Sequence, residues 1–177
     1  MSSSRAGTGS PATGESLATA ELARWAIERL TSAGQTVAVA ESLTGGLVTA
    51  ALTGVAGASL VLRGGVVAYA TELKAELLSV PADLLARHGP VHPDVAAAMA
   101  ASVRQRLRAT YGLATTGVAG PGPADGSPQG TVFVAVAGPA GVAGRGLRLT
   151  GDRQAVRNGT VEAVLSLLVS GLREDES

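Results

Sequence analysis

Three short apolar runs, residues 36–40, 65–69 and 113–116, each break off into residues bearing hydroxyls, charge or glycine (Glu41-Ser42, Ala70-Thr71-Glu72 and Gly117-Val118), and each is separated from the next by helical patterns. Strands with near-continuous apolar content cannot leave a face in water, so helices must cover both sides of the sheet. Leu17, Leu22, Trp25, Ala26 and Leu30 fall at helical spacing, with Ser16 as a cap and Gly34 as a stop. Further helices are expected over 44–52, 71–78, 93–111 and 152–172, and further strands over 131–137 and 144–149. The class that follows is α/β, a single-domain three-layer α/β/α sandwich over residues 15–173, with the strand order left open. Residues 1–14, almost entirely Ser, Gly, Thr and Ala, hold too little apolar surface to offset the entropy of ordering them and read as a disordered tail.

Charge and cysteine content narrow the function classes. Fourteen basic residues balance fourteen acidic ones, which gives no electrostatic reason for a nucleic-acid or membrane partner. The chain has no cysteine, which removes disulfides, thiolate metal sites and a thiol nucleophile. With no apolar leader near the start, a cytoplasmic location is expected. Residues 43–62 carry no charge, but glycines and threonines interrupt them, so a membrane span is not expected there. The tetrapeptide GVAG begins at Gly54, Gly117 and Gly141 with unequal spacing and unrelated flanks, and reads as a product of composition rather than a repeat. The small-residue stretch 96–101 suits close helix contacts and a homo-oligomer.

Four segments could carry chemistry. In Glu41-Ser42-Leu43-Thr44-Gly45-Gly46 a hydroxyl stands at the carboxyl end of a strand and beside a helix N-terminus, where backbone N–H groups can hold a phosphate or an oxyanion. The same residues equally suit a plain helix cap with close packing at the glycines. The segment Tyr69-Ala70-Thr71-Glu72-Leu73-Lys74 holds the only lysine beside 13 arginines. A chain that fills its basic positions with arginine and keeps one lysine has a candidate for what guanidinium cannot do, which is to lose a proton when desolvated. A neutral lysine beside Ser42 would be a general base, while a solvated surface lysine is the simpler alternative. Thr116-Gly117 opens a glycine–proline loop that matches neither dinucleotide nor P-loop fingerprints and is, alone, a turn. Arg153, in the first turn of the last helix, and Arg157 one turn on could clamp an anion or simply be solvated. His88 and His92 have metal-ligand spacing, but Gly89-Pro90 between them breaks the helix it requires, so no metal is expected.

Together the blocks AESLTGG, RGGVVAYATELK, TTGVAGPG, GTVFVAVA and GDRQAVR, in this order over nearly the whole chain, resemble the CinA C-terminal domain family. Its stand-alone members are similar to nicotinamide-mononucleotide amidohydrolase. The resemblance implies a serine amidohydrolase without metal or organic cofactor, with Ser42 as nucleophile, Lys74 as base and Tyr69 as a third catalytic member. It also implies Ser59, Thr116 and Arg153 as positions that meet a small nucleotide substrate. To these the residues themselves add Thr44, Gly45 and Gly46 as oxyanion donors, and Gly117 and Arg157 around the phosphate. Relatives often carry cysteine and asparagine where this chain has Leu43 and Thr71. The other function weighed is a non-catalytic nucleotide-binding module linked to competence or DNA damage.

Overall fold

The sheet is built from strands whose two faces differ in size. In β1 (Val37–Glu41) the valines Val37 and Val39 point one way and Ala38 and Ala40 the other. In β3 (Tyr111–Gly117) Tyr111 and Leu113 oppose Gly112 and Ala114, and in β4 (Thr131–Gly138) Val132, Val134 and Val136 oppose Ala135 and Ala137. The register sets like beside like: Ala38 pairs with Gly112 and Ala40 with Ala114, and then Ala114 pairs with Ala135 and Gly112 with Ala137. One face of the sheet is therefore a shallow trough of small residues, and the other carries the bulky side chains.

The computed structural model describes residues 17–174, so the tail expected over 1–14 lies outside them. Before β1 comes α1 (Leu17–Ala33); α2 (Leu47–Thr53) follows it, then a 3-10 turn (Ala58–Leu60) and β2 (Leu62–Val67). Next are α3 (Thr71–Leu78), α4 (Ala82–His88) and α5 (Pro93–Arg106), and after β4 come β5 (Gly141–Arg148) and α6 (Arg153–Glu174). The described strands form one sheet in the order β2-β1-β3-β4-β5, with β2, β1 and β3 parallel and β4 and β5 antiparallel. Helices α1, α2 and α6 bury Ile27, Leu30, Leu52, Leu165 and Leu168 on the bulky face. Helices α3 and α5, with α4 at their edge, cover the trough through Leu78, Val95, Met99 and Val103. The fold is thus the α/β sandwich expected.

Several boundaries differ from the sequence expectation for local reasons. Helix α5 stops at Arg106 rather than continuing to 111, because Arg108 takes a left-handed backbone (φ 52°) and Tyr111 already pairs in the sheet. Residues 44–46 form turns rather than helix, since Gly45 and Gly46 adopt φ of 58° and 101° and α2 begins at Leu47. Ala68 and Tyr69 leave the β2 ladder early, and α4, following Pro81, was not foreseen. The strands are not uniformly buried: β5 is an exposed edge, and β2 alternates between half-buried and exposed along its length. Ala96 and Ala100, whose smallness suggested contact with a second copy, are buried against the sheet of their own chain. Within the described residues no helix is long and apolar enough to cross a membrane.

The trough lets α5 approach the backbone of the sheet. A Cβ placed on Gly112 would lie 2.1 Å from the Ala100 carbonyl oxygen and 2.7 Å from Arg104 Cβ. Gly112→Ala should therefore force helix and sheet apart and cost roughly 2–4 kcal/mol. Gly171→Ala, within α6 and with nothing within 4 Å of the new methyl, should be neutral or stabilising by up to about 1 kcal/mol. Urea denaturation of the two variants would test the contrast.

Candidate active site

The three parallel strands end in line. Glu41, the last residue of β1, pairs with Val67 of β2 and Thr115 of β3, so Ser42, Ala68 and Thr116 emerge side by side at one edge of the sheet. The Ser42 N–H donates to the Thr115 carbonyl (3.1 Å), and the Ala68 N–H donates to that of Glu41 (2.9 Å). From the first half of α3, Lys74 reaches back over this edge. Its Nζ lies 3.0 Å from Ser42 Oγ, 2.9 Å from the Ala68 carbonyl oxygen and 3.5 Å from that of Tyr69. Lys74 is 1% exposed, and burial pushes its amine below the usual lysine value of 10.5, while the carboxylates of Asp125 and Glu72 pull in the opposite direction.

The turn bearing Ser42 is held from behind. Glu41 is fully buried, and its Oε2 accepts the N–H groups of Gly46 and Val48 (both 3.0 Å). Its Oε1 accepts the Thr49 N–H (2.9 Å) and hydroxyl (2.7 Å). A carboxylate of the chain itself thus fills the amino end of α2, whose N–H groups and dipole favour negative charge. The Gly45 N–H is also committed, to the Ser42 carbonyl (3.0 Å). The oxyanion donors expected at Gly45 and Gly46 are therefore already occupied, whereas the N–H groups of Leu43 and Thr44 carry no hydrogen bond among the described residues. Arg157 donates from Nε to the Leu43 carbonyl (3.0 Å) and from a terminal nitrogen to the Thr44 carbonyl (2.9 Å). It braces the loop rather than joining Arg153 over an anion. The Thr44 and Thr115 hydroxyls bond each other at 2.8 Å in the interior.

In front of the pair lies a cleft lined by Ser42, Lys74, Tyr69, Thr116, Gly117 and Arg153. Leu43 and Thr71, the two departures from the common pattern, line it as well. Arg153 donates to the Tyr69 hydroxyl (2.7 Å) and to the Gly120 carbonyl, joining the β2–α3 turn, the glycine–proline loop and α6 at the mouth. Tyr69 is 57% exposed, and its side chain meets Arg153 rather than the Ser42–Lys74 pair; its backbone carbonyl is what faces the lysine. The Thr116 hydroxyl donates to the Pro90 carbonyl (2.7 Å), fixing the 90–91 wall. Thr44, Gly45, Gly46 and Arg157 stand behind the cleft. Ser59 is exposed before the amino end of β2, at the opposite end of that strand from Ala68.

Sequence reasoning did not assign the roles of Glu41 and Asp125. Asp125 lines the cleft from the loop after Gly122. The dipeptide Asp125-Gly126 carried a legible signal, since Asp-Gly favours tight two-residue turns. Glu41 had none, because a carboxylate ending an apolar strand gives no hint that it will fold back onto the next helix. His88 and His92 do meet in space, as stacked rings 4.1 Å apart, and His92 Nδ1 accepts the Asp94 N–H at the start of α5. Among the described residues no cluster of three or more candidate metal ligands occurs.

A buried lysine against a serine hydroxyl, at the carboxyl edge of a parallel sheet and behind an open cleft, is a site arranged for a small ligand. Residues 19–172 match the family model described as the CinA C-terminal domain, and the chain belongs to that family. It is 54% identical over 144 residues to a CinA-like protein of Frankia casuarinae, covering 80% of this chain and 33% of that protein. A CinA-like protein of Anaeromyxobacter sp. is 47% identical over 154 residues, covering 86% of this chain and 38% of the relative. The chain thus spans about a third of the length of these curated relatives. The crystal structure of the competence/damage inducible protein CihA from Agrobacterium tumefaciens superposes with a TM-score of 0.85 at 36% identity, over 90% of this chain and 98% of that one.

The four bonds to Glu41 make it the residue on which the turn depends. Glu41→Gln replaces one carboxylate oxygen with a donor that faces N–H groups, and should cost about 2–4 kcal/mol in urea denaturation. Glu72→Gln, on the exposed side of α3, should change stability by less than about 0.5 kcal/mol.

Proposed function

We propose that the protein is an amidohydrolase that converts nicotinamide mononucleotide to nicotinic acid mononucleotide and ammonia through Ser42 and Lys74. The observation that carries this reading is the 3.0 Å contact between Lys74 Nζ and Ser42 Oγ, made by an amine that burial biases towards its neutral form. Family membership and the five motif blocks support the substrate class.

In the neutral amine the two N–H bonds point to the Ala68 and Tyr69 carbonyls, which leaves the lone pair for the Ser42 hydroxyl. Lys74 takes that proton as Ser42 Oγ bonds to the carboxamide carbon, and the C=O electron pair moves onto oxygen. The Leu43 amide, next to the nucleophile and in the lining of the cleft, is the donor left to receive that charge. Collapse of the tetrahedral intermediate breaks the C–N bond, and the Lys74 ammonium returns its proton to the departing nitrogen as ammonia. Water then loses a proton to Lys74 and attacks the acyl-serine ester; the C–Oγ bond breaks, the Lys74 ammonium returns the proton to Ser42 Oγ, and the acid leaves as its carboxylate after losing a proton to solvent. No metal or organic cofactor enters these steps. Arg153, with N–H groups beyond those given to Tyr69 and Gly120, is the cation placed for the 5′-phosphate, beside Thr116 and Gly117.

Ser42→Ala and Lys74→Arg should each lower ammonia release from the mononucleotide by at least about a thousandfold, the second because guanidinium keeps the charge but cannot serve as a base. Turnover that survives Lys74→Arg would rule out the pair. Binding of the mononucleotide by the unaltered protein without ammonia would instead favour the non-catalytic module.

The rate should also report the lysine. Because Lys74 must be neutral and burial depresses its proton affinity, kcat/KM should rise with pH through an apparent value below 10.5. Removing the Asp125 charge, which raises that affinity, should move the rising limb to lower pH in a pH–rate profile of Asp125→Asn.

A further inference from the structure

Among the described residues Asp125 is the only carboxylate that lines the cleft, where the other charged groups are Lys74 and Arg153. The backbone around it is closely fixed. Ala124 and Ser127 exchange both of their backbone hydrogen bonds (3.0 and 2.9 Å) across the two residues Asp125 and Gly126, whose φ values are 51° and 73°. This is the two-residue turn with positive φ at both central positions that Asp-Gly favours. The stem is tied at both sides, with the Gly122 N–H donating to Gln129 Oε1 (3.2 Å) and Gln129 Nε2 donating to the Gly151 carbonyl (3.0 Å). Asp125 itself is exposed, makes no ion pair with Arg153, and carries no hydrogen bond on its carboxylate among the described residues. A clamped turn thus holds a negative charge without a contact partner at the cleft while Arg153 supplies positive charge at the same cleft, an arrangement matched to a ligand carrying both signs.

We propose that Asp125 is a specificity residue that selects a cationic, N-substituted pyridinium ring over its uncharged counterpart. The inference rests on the substrate reading above and adds the determinant within it. Nicotinamide mononucleotide carries a positive ring and a negative phosphate, which suits Asp125 and Arg153 together. Hydrolysis turns the neutral carboxamide into a carboxylate, so the same charge that attracts the substrate ring opposes the new anion and favours product release. The interaction is through solvent-exposed space, so it is worth roughly fivefold in affinity and weakens with salt.

The test measures binding in the Ser42→Ala background, which separates ring recognition from turnover. The probes are nicotinamide mononucleotide and its 1,4-dihydro form, which share carboxamide, ribose and phosphate but differ in ring charge. Adding Asp125→Asn, which keeps a residue suited to the left-handed turn, should weaken the cationic probe about fivefold and the neutral probe by less than about twofold, with an unchanged thermal midpoint. Asp125→Lys should widen the loss for the cationic probe. An unchanged ratio of the two affinities in Asp125→Asn overturns the inference while leaving the substrate reading intact. Failure of Ser42→Ala to bind either probe, together with no ammonia release by the unaltered protein, overturns the substrate reading and the inference with it.

Discussion

A primary amine sits almost sealed from water at Lys74, and the arrangement around Ser42 makes that burial tolerable. Placing a charged ammonium there without a counter-ion in contact would cost several kcal/mol. Two backbone carbonyls and one hydroxyl receive the amine in place of a carboxylate. That choice of partners matters chemically, because a contacting carboxylate would stabilise the ammonium and remove its capacity to accept a proton. The more distant Asp125 and Glu72 oppose the effect of burial without overcoming it.

The geometry depends on a second buried ionisable group with a different solution. Glu41 is ionisable, fully enclosed and adjacent to Ser42, yet it meets the amino end of α2 rather than a basic side chain. Its carboxylate anchors α2 to the end of β1, and Arg157 anchors the carbonyls of the intervening turn from α6. The serine is thereby fixed between two elements that pack on the bulky face of the sheet. The lysine arrives from α3, on the trough face, so the pair joins the two helix layers across the edge of the sheet.

Much of this was legible in the linear pattern. The strand ends at Ser42, before Lys74 and at Thr116 were visible because each follows an apolar run, and three parallel strands must deliver such ends to one edge. The solitary lysine stood out because thirteen arginines fill the other basic positions. The bonds from Arg157 to the carbonyls of Leu43 and Thr44 were not legible, since helical spacing gives neighbourhood along α6 but not the direction from which another loop approaches. Ser59, implied by family resemblance, lies at the far end of β2 in this chain.

The sequence alone determined the α/β class and the positions of the junctions, and it marked Ser42 and Lys74 as candidates, because periodicity and residue chemistry are local properties. Tertiary structure alone decided which face of the sheet each helix covers, through the register that lines up Ala38, Gly112 and Ala137 into one trough. It also decided that the amino end of α2 is filled by Glu41, and that Asp125 shares a cleft with Arg153. Those are contacts between segments distant in the chain or folded back on themselves, and no spacing rule encodes the direction in which such segments meet.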